Sequence, residues 1–573
     1  MSDYGMRLDK HVDVPMRDGT VLSANVFRPD AEGRYPVLMT LGPYGKDVHL
    51  SQFMPEVWER LRQRQPEIFQ RTSGKYLVWE TPDPEMWVPH GYAVVRIDSR
   101  AAGASPGRLD VNSPSEFRDF YDAIAWAGEQ PWSNGRVGLL GISYFAAGQW
   151  SVAAMRPPRL KAMLPWQGTY DFYRDRTRQG GIFGSGFVKR WWSRSVLRNQ
   201  HGNTDTPFTD IDTDERTTGP AALSSSELEA NRADYVGDIL AHPLLDEWYR
   251  ERIPDLQKIE IPALVVANWG GLGLHLRGTI EGYLGIASSQ KWLKVQTGSY
   301  FVTFLTAHSV QLQRRFFDRY LKDENNDWES EPKVEVEIRS PDDKIARRVT
   351  GCEWPLETVQ WQRWYLDANA KSLAQNPPAA DAHVEYQAIG DGVTFYSAPL
   401  ARTMEFAGPV RARVWVSSAT SDMDIFATLR AFDSRGGEVT FLSAVEPKSP
   451  LSQGWLRVSH RKLDAEQTTE WRPFHSHDDP QPLTPNEIYA VDVEIWPMSV
   501  ALPAGYSIAL TIQGKDFERG DEPGAVKGSG WFLHVDPIDR PADVFATTNA
   551  IYTGPRHSSF LLLPFVAPVS EAL

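Results

Sequence analysis

The chain has 573 residues, of which 41% are hydrophobic and 23% charged, and its formal net charge is -14 at pH 7. One hydrophobic core rarely grows beyond about 250–300 residues, so we expect two or three domains. The acidic balance argues against nucleic acid or an anionic membrane surface as the main partner. No run of about 18 apolar residues predicts a membrane span, and no apolar signal segment opens the chain. We therefore expect a cytoplasmic protein.

The sequence indicates no bound cofactor. Cys352 is the single cysteine, which excludes an intrachain disulfide and a cysteine metal cluster. No phosphate-binding loop or dinucleotide fingerprint is present. We predict no cofactor and no metal, and we expect a small-molecule substrate, with homo-oligomerisation left open.

Residues 1–168 alternate between strand and helix patterns. Short apolar runs typical of buried strands occupy 35–41, 92–98, 136–140 and 161–165. Residues 114–130 place apolar side chains near helical spacing behind a Ser-Pro-Ser-Glu start that can cap a helix. This alternation predicts the first part of an α/β core with a mostly parallel sheet.

The remaining chain changes character three times. Residues 169–257 are polar and rich in Arg and Trp, with helical stretches, and predict a helical cap inserted into the core. Strand patterns resume at 261–269 and 291–298, and a helical pattern follows at 309–322, so 258–332 is predicted to complete the α/β core. Residues 333–573 show short alternating strands between turns, typical of an antiparallel jelly-roll β-sandwich.

The segment Val137–Gly148, VGLLGISYFAAG, places a serine between a buried strand and a helix of small residues. An α/β-hydrolase displays its nucleophile on such a turn, flanked by small residues because the backbone is crowded there. Gly141 lies two residues before Ser143, but Phe145 stands where a second glycine is usual. The alternative is a serine that merely caps a buried helix.

A second motif supports the interpretation of Ser143 as a nucleophile. LGPYGK, residues 41–46, follows the first clear strand, and the loop after such a strand supplies an oxyanion donor in hydrolases. The Tyr44 hydroxyl and the backbone N–H of Tyr144 are the predicted donors. The alternative for Tyr44 is a tyrosine packed in a surface turn.

Long stretches of the chain resemble the cocaine esterase and X-prolyl dipeptidyl peptidase family, also called CocE/NonD. The resemblance lies in MRDGTVLSANVFRP, GPYGK, DSRAAGASPG, YDAIAWAGEQPWSNGRVGLLGISYFAAGQW, LHLRG, QRRFFDRYLK, EFAGPVRARVWVSS and HVDPIDRPADVF. It implies an α/β-hydrolase domain, an inserted helical cap and a C-terminal jelly roll. It also implies that Ser143 is the nucleophile and that Tyr44 completes the oxyanion hole.

The resemblance fails at the other two positions of the catalytic triad. The family's acid lies two residues after a Trp, and Gly271 stands there. The family's histidine follows the next strand, where alignment gives Tyr300. A phenol is a weak base, so we expect Tyr300 to act as a general acid or hydrogen-bond donor unless a cation lowers its pKa.

His275 is four residues past Gly271 and could face the site, although we prefer a structural histidine that bonds the backbone of its helix. We group His275 with Phe145, Trp166 and Trp269 as candidate substrate-binding residues. Plain core packing is the alternative for both tryptophans. His308 is expected to be a surface residue.

These residues predict a hydrolase-like enzyme with a degenerate triad, acting on an ester or amide carbonyl of a small, largely apolar substrate. The pocket is expected between core, cap and C-terminal domain. Two alternatives stay open. One is a non-hydrolytic lyase, isomerase or cyclase that reuses the oxyanion hole, and the other is an inactive relative that only binds a ligand.

Overall fold

The computed structural model describes residues 5–444, 446, 448–518 and 531–567. Residues 1–4 and 568–573, the outer ends of the first and last predicted segments, lie outside this part. Among the described residues, no helix combines the length and apolar character needed to cross a membrane.

The strands alternate with helices up to residue 351 and follow one another closely after it. They are β1 Met6–Pro15, β2 Val21–Pro29, β3 Tyr35–Gly42, β4 Ala93–Asp98, β5 Ser133–Ile142, β6 Leu160–Trp166, β7 Arg178–Gln179, β8 Ile182–Phe183, β9 Ala263–Asn268, β10 Lys291–Gln296, β11 Val334–Arg339, β12 Ile345–Gly351, β13 Val359–Asp367, β14 Ser372–Ala374, β15 Ala382–Gln387, β16 Val393–Ser397, β17 Met404–Ser418, β18 Asp424–Phe432, β19 Glu438–Val439, β20 Ser452–Arg457, β21 Tyr489–Leu502, β22 Ser507–Gln513, β23 Thr548–Thr553 and β24 Phe560–Val566.

The helices lie mainly in the first 321 residues. The α-helices are α1 Leu50–Phe53, α2 Pro55–Arg64, α3 Pro114–Glu129, α4 Tyr144–Ala154, α5 Ser185–Trp191, α6 Ser225–Ala230, α7 Tyr235–Ala241, α8 Glu247–Arg250, α9 Leu276–Gly285, α10 Tyr300–Leu305, α11 Ala307–Leu321 and α12 Ala542–Phe545. Phe172–Thr177 and Trp192–Val196 are π-helical. Short 3₁₀ turns span Ile68–Gln70, Pro84–Met86, Val88–His90, Leu197–Asn199, Leu256–Lys258, Trp269–Gly271, Trp328–Ser330 and Val458–His460.

The first sheet has ten strands in the order β1-β2-β4-β3-β5-β6-β9-β10-β11-β12. The strands from β4 to β11 along this order are parallel, whereas the pairs β1–β2, β2–β4 and β11–β12 at the edges are antiparallel. The apolar runs predicted as strands are β3, β4, β5, β6, β9 and β10, which confirms the α/β prediction. Helix α3 begins as expected, since the Ser113 side chain accepts a hydrogen bond from the Glu116 N–H.

Strands β11 and β12 differ from the predicted division of the chain. The alternating strand pattern from residue 333 onward predicts that this segment belongs to the C-terminal sandwich. The structure instead pairs β11 in parallel with β10, with Leu293 opposite Val334. The predicted boundary at 332/333 therefore separates two strands of one sheet, because alternation reports that one face is buried but not which sheet the strand joins.

The region predicted as a helical cap consists of short helices, π-helical turns and the two-residue strands β7 and β8. The remaining strands form a second sheet in the order β15-β23-β17-β21-β20-β18-β22-β16-β14-β13-β24, with β19 beside β18 and a further pairing of β17 with β24. Its pairs are antiparallel apart from β14 with β16. Buried aliphatic residues such as Val414, Ile495 and Leu510 form its core.

Candidate active site

Ser143 occupies a strained turn between β5 and α4. Its φ is 56° and its ψ is -110°, a left-handed conformation that non-glycine residues rarely adopt. The Ser143 N–H donates to the Trp166 carbonyl at 3.1 Å, which fixes the turn against β6. The strand thus ends with the serine displayed at the carboxyl edge of the parallel sheet, where α/β folds bind ligands.

Two glycines explain how Phe145 fits where a glycine is usual. A Cβ on Gly141 would lie 2.5 Å from the Phe145 Cβ, and one on Gly42 would lie 2.6 Å from its ring. The space for the Phe145 side chain therefore comes from Gly141 on β5 and Gly42 on β3, and a small residue at position 145 is not needed. Phe145 packs edge-on against Tyr44, with the ring centroids 5.6 Å apart. It does not line the cavity described below, so its prediction as a substrate-binding residue is corrected to a packing role.

The imidazole of His275 contacts the serine. Its Nε2 lies 3.0 Å from the Ser143 Oγ, and its ring is buried. The preferred prediction, a structural histidine whose ring bonds the backbone of its helix, is therefore wrong. The 3₁₀ turn Trp269–Gly271 brings the start of α9, and with it the His275 ring, to the edge of the sheet. Burial, followed by the positive charge of Arg176, lowers the pKa of His275 to about 3.

The other ring nitrogen of His275 has no acid behind it. Nδ1 is buried without a hydrogen-bond partner in the described part of the chain. Gly271 has no side chain to offer to Nδ1. Its contact with His275 is through the backbone, where its carbonyl accepts a hydrogen bond from the His275 N–H at 2.8 Å. A Cβ at position 271 would lie 2.6 Å from Gln167 Oε1. The amide of Gln167 therefore fills the space into which a carboxylate at 271 would extend.

A buried carboxyl group lies on the other side of the serine. Glu80 comes from the long excursion between β3 and β4, and its φ is 62°. Tyr300 donates its hydroxyl to Glu80 Oε1 at 3.2 Å. Burial raises the pKa of Glu80 well above its ordinary value, and hydrogen bonds with Tyr300 and Ser143 oppose this only partly. Glu80 therefore keeps its proton more readily than an exposed carboxyl.

Tyr300 lies beside the serine and histidine but is not placed as a base. Its ring centroid is 5.8 Å from that of His275, and both line the same cavity. Burial and the neighbouring Glu80 raise the pKa of the Tyr300 phenol well above its ordinary value. The phenol therefore stays protonated, consistent with the expected hydrogen-bond donor.

The two predicted oxyanion donors have different surroundings. The Tyr44 hydroxyl lines the cavity and accepts a hydrogen bond from Trp191 Nε1 at 2.8 Å, which leaves its own proton free to donate. Tyr144 points its phenol away, to Glu116 Oε2 at 2.5 Å. Tyr144 is also the first residue of α4, where a backbone N–H has no acceptor within the helix. Only that N–H is suited to the predicted role.

Ser143 and His275 open into a cavity of about 100 Å³ between the first sheet, the cap and the C-terminal region. Its wall is mainly aromatic and apolar: Tyr44, Phe53, Met54, Trp79, Phe187, Trp191, Leu274, Tyr300, Ala444, Trp531 and Phe532. The polar lining comprises Glu80, Ser143, Thr169, Arg176, Ser195 and His275. This location agrees with the pocket expected from the sequence.

The two tryptophans predicted as wall residues lie elsewhere. Trp166 is fully buried and packs edge-on against Phe304 below the serine. Trp269 donates its Nε1 to the Glu337 carbonyl at 2.8 Å, against β11. Both therefore have the core-packing role that the sequence left as the alternative. A residue at the end of a strand can point into the core as well as toward the site. His308 is exposed at the start of α11.

Sequence reasoning missed Glu80 and Arg176. Glu80 lies in an aperiodic excursion with turn residues, and its own backbone is left-handed. Arg176 lies in a π-helical turn, which no apolar period indicates. The one available signal was that both belong to segments next to the sheet edge that carries Ser143.

Comparison with known proteins adds two family matches. Residues 18–301 match the model of the X-Pro dipeptidyl-peptidase S15 family, and residues 326–562 match that of the X-Pro dipeptidyl-peptidase C-terminal non-catalytic domain. The crystal structure of a CocE/NonD family hydrolase from Staphylococcus aureus is 31% identical, with a TM-score of 0.81, covering 98% of this chain and 94% of that one. The chain belongs to the CocE/NonD family of hydrolases.

Curated relatives extend this family assignment. A cocaine esterase from Rhodococcus sp. (strain MB1 Bresler) is 24% identical over 99% of this chain and 100% of its own length. A putative serine esterase from Mycobacterium bovis is 25% identical over 88% of this chain and 90% of its own length. Membership in this family places the chain among hydrolases of the serine esterase and peptidase type.

Proposed function

We propose that the chain is a serine esterase or amidase whose catalytic groups depart from the usual triad. Ser143 is the nucleophile, His275 the general base, and the Tyr44 hydroxyl and Tyr144 N–H are the oxyanion donors. The observation that carries the proposal is the 3.0 Å separation of Ser143 Oγ and His275 Nε2, which is within the reach required for proton transfer.

The reaction follows from the positions of these groups. Ser143 Oγ attacks the carbonyl carbon while its proton passes to His275 Nε2. The oxygen of the tetrahedral intermediate takes hydrogen bonds from the oxyanion donors. When the intermediate collapses, the imidazolium returns the proton to the leaving alcohol or amine. Water then cleaves the acyl-enzyme by the same steps, and free Ser143 is regenerated.

The missing acid limits the base. At neutral pH His275 is uncharged, because its pKa is lowered to about 3, and the tautomer with its proton on Nδ1 leaves the Nε2 lone pair for the serine proton. The same low pKa makes this imidazole a weak base. The imidazolium formed during attack gains no stabilisation from a carboxylate on Nδ1, where a usual triad has one. We therefore expect slow turnover compared with a complete triad.

Glu80 and Tyr300 hold the serine rather than replace the base. Tyr300 donates to Glu80, and the buried carboxyl in turn lies beside the Ser143 hydroxyl. A protonated carboxyl cannot accept the serine proton, but it can fix the direction of the Oγ. In its protonated form Glu80 thus acts with Tyr300 as a positioning element.

The cavity supports a small, largely apolar substrate. It measures about 100 Å³, and aromatic side chains form most of its wall. Ala444, Trp531 and Phe532 come from the C-terminal region, which we further propose to be a jelly roll on the basis of its mainly antiparallel pairings. That region thus limits the length of substrate that can reach Ser143.

The test is covalent labelling with a fluorophosphonate probe, together with hydrolysis of 4-nitrophenyl butyrate. We expect labelling of wild type and none of Ser143→Ala, with hydrolysis reduced to background. Ser151→Ala is the matched control, since Ser151 is a buried serine of the same helix α4 outside the cavity. Equal labelling of Ser143→Ala and wild type contradicts the proposal.

The unpartnered Nδ1 of His275 favours one second candidate, a lyase, isomerase or cyclase that uses the oxyanion donors without a strong nucleophile. Such chemistry needs Tyr44 but not the Ser143 Oγ. Turnover of the true substrate that survives Ser143→Ala and is lost in Tyr44→Phe would support this candidate over hydrolysis.

A further inference from the structure

Arg176 is a buried cation in the catalytic cavity without an acidic partner among the described residues. It is 5% exposed and lines the same cavity as Ser143 and His275. Its Nε has no hydrogen-bond partner, and no carboxylate in the described ranges forms an ion pair with its guanidinium. Buried arginines are nearly always paired, because an uncompensated buried charge is costly.

The arginines on either side in sequence show the usual arrangement. Arg174 pairs with Asp171 at 2.7 Å, and Arg178 pairs with Asp539 at 2.6 Å. Both pairs are buried. Arg176, which lies between them in the chain, therefore differs from its neighbours by facing the cavity instead of an acid.

Aromatic rings fix the position of the Arg176 guanidinium. Its central carbon lies 4.3 Å from the ring centroid of Trp191 and 5.3 Å from that of Tyr144. Stacking on ring faces holds the planar group and leaves its in-plane N–H donors clear of the rings. The neutral hydroxyl of Tyr235 also approaches the guanidinium, and Nε has no partner in the described part of the chain. Because Tyr235 brings no charge, the guanidinium fork can still match the two oxygens of a carboxylate.

The other charged groups of the cavity do not neutralise Arg176. Glu80 is the one carboxyl group in the cavity lining of the described chain. It is not within ion-pair distance of Arg176, and its burial favours the protonated form. His275 is neutral. Arg176 therefore presents a positive charge without an ion-pair partner at the cavity wall, which favours an anion.

We propose that Arg176 binds a carboxylate of the substrate, so that Ser143 acts on esters or amides that carry a carboxylate as well as the scissile carbonyl. This inference rests on the proposed function and names its substrate class. The bound carboxylate also offsets the charge of Arg176, which otherwise disfavours the imidazolium of His275. The correct substrate would therefore strengthen the base that acts on it.

The test compares matched esters with and without a carboxylate. Mono-4-nitrophenyl glutarate and 4-nitrophenyl pentanoate place or omit the carboxylate on the acyl side, and 4-acetoxybenzoate and phenyl acetate do so on the leaving group. We expect wild type to prefer the anionic ester of at least one pair by tenfold or more in kcat/KM. The pair that shows the preference identifies which side of the substrate reaches Arg176.

Arg176→Gln should lower that preference by about 10- to 100-fold, the usual worth of a charge-assisted bidentate hydrogen bond. Arg176→Lys, which keeps the charge but not the fork, should retain part of it. The matched control is Arg252→Gln, because Arg252 also stacks on a tryptophan of the cap, 3.9 Å from the Trp248 centroid, but lies outside the cavity. This control should keep the wild-type preference.

Binding without turnover separates this inference from the proposed function. Glutarate should bind to Ser143→Ala by calorimetry, and tenfold or more weaker to the double variant that also carries Arg176→Gln. If fluorophosphonate labelling fails but this difference holds, the esterase proposal falls and the anion site stands. A wild-type preference near one, or a preference that both Arg176 variants leave unchanged, overturns the anion site alone.

Discussion

The imidazole Nε2 of His275 lies 3.0 Å from the hydroxyl of Ser143, although 132 positions of chain separate the two residues. The histidine comes from the start of α9, directly after the turn in which the family resemblance places an acid. An imidazole thus lies next to the segment in which the resemblance places the acid, while Tyr300 stands where the resemblance places the histidine.

Removal of the imidazole should identify the base. We expect His275→Gln to lower kcat/KM for 4-nitrophenyl butyrate by about 10²- to 10⁴-fold, the usual contribution of a general base. His308→Gln is the control, because His308 is exposed on α11. Activity within threefold of wild type in His275→Gln would show that another group takes the serine proton.

His275 should also make stability depend on pH. Its pKa is lowered to about 3 in the folded chain, so between pH 6.5 and 3 the unfolded chain binds a proton that the folded chain does not. Stability conferred by the neutral ring is therefore present above about pH 6.5 and is lost as the pH falls, by about 1.4 kcal/mol per pH unit.

Urea unfolding at pH 7 and pH 5 measures this effect. The loss of stability on acidification should be smaller in His275→Asn than in wild type, since the variant has no ring to protonate on unfolding. His308→Asn should follow wild type. Identical pH dependence in His275→Asn and wild type would contradict the lowered pKa.

Glu80 makes the opposite prediction. Burial raises its pKa in the folded chain well above 4.5, so the unfolded chain releases a proton first as the pH rises. Stability therefore falls from about pH 4.5 upward until the folded group ionises. Glu80→Gln mimics the protonated carboxyl and should raise the melting temperature relative to wild type more at pH 8 than at pH 5.

The same variant tests whether Glu80 is a base. If the carboxyl acts in its protonated form, Glu80→Gln should keep kcat/KM at pH 7 within about threefold, whereas Glu80→Ala should lose more because the Tyr300 hydroxyl and Ser143 lose their neighbour. A loss of 100-fold or more in Glu80→Gln would mean that an ionised Glu80, not His275, takes the proton.

The scaffold of the site could be predicted from the sequence because it depends on short-range patterns. The strand before Ser143 is a continuous apolar run, and the helix after it has small residues, so the turn between them has to display the serine. The position of Tyr44 at the site is predicted from the strand β3 that directly precedes it. Each of these inferences uses neighbours within about ten residues.

The partners of Ser143 could not be predicted in the same way. Glu80 reaches the site through a left-handed backbone in an aperiodic excursion, and Arg176 through a π-helical turn. His275 depends on how the 3₁₀ turn before α9 directs the helix start. Trp166 ends β6 and Trp269 directly follows β9, so the sequence places both near the site, yet both side chains pack in the core.

Restoring an acid at position 271 should fail by itself. In Gly271→Asp the new Cβ would lie 2.6 Å from Gln167 Oε1 and 2.9 Å from the Leu276 backbone nitrogen. We expect a lower melting temperature, consistent with the roughly 1–3 kcal/mol cost of overpacking, and no gain in kcat. Gly271→Ala should share the loss of stability, because the Cβ and not the charge causes it. A large gain in kcat for Gly271→Asp would show that Gln167 yields easily and that only the acid was lacking.

Tyr44 should act on the transition state and not on substrate binding. Its hydroxyl accepts from Trp191 Nε1, and burial raises the pKa of the phenol, so the proton stays available for an oxyanion. Tyr44→Phe should therefore lower kcat by about 10²- to 10³-fold with little change in KM, the usual cost of one oxyanion donor. Tyr283→Phe is the control, since Tyr283 is a buried tyrosine of α9 outside the cavity.

Trp191→Phe removes the hydrogen bond that orients the phenol and should give a smaller loss of kcat than Tyr44→Phe. A change confined to KM in Tyr44→Phe would place this hydroxyl on the ground-state substrate and leave the Tyr144 N–H as the remaining proposed oxyanion donor.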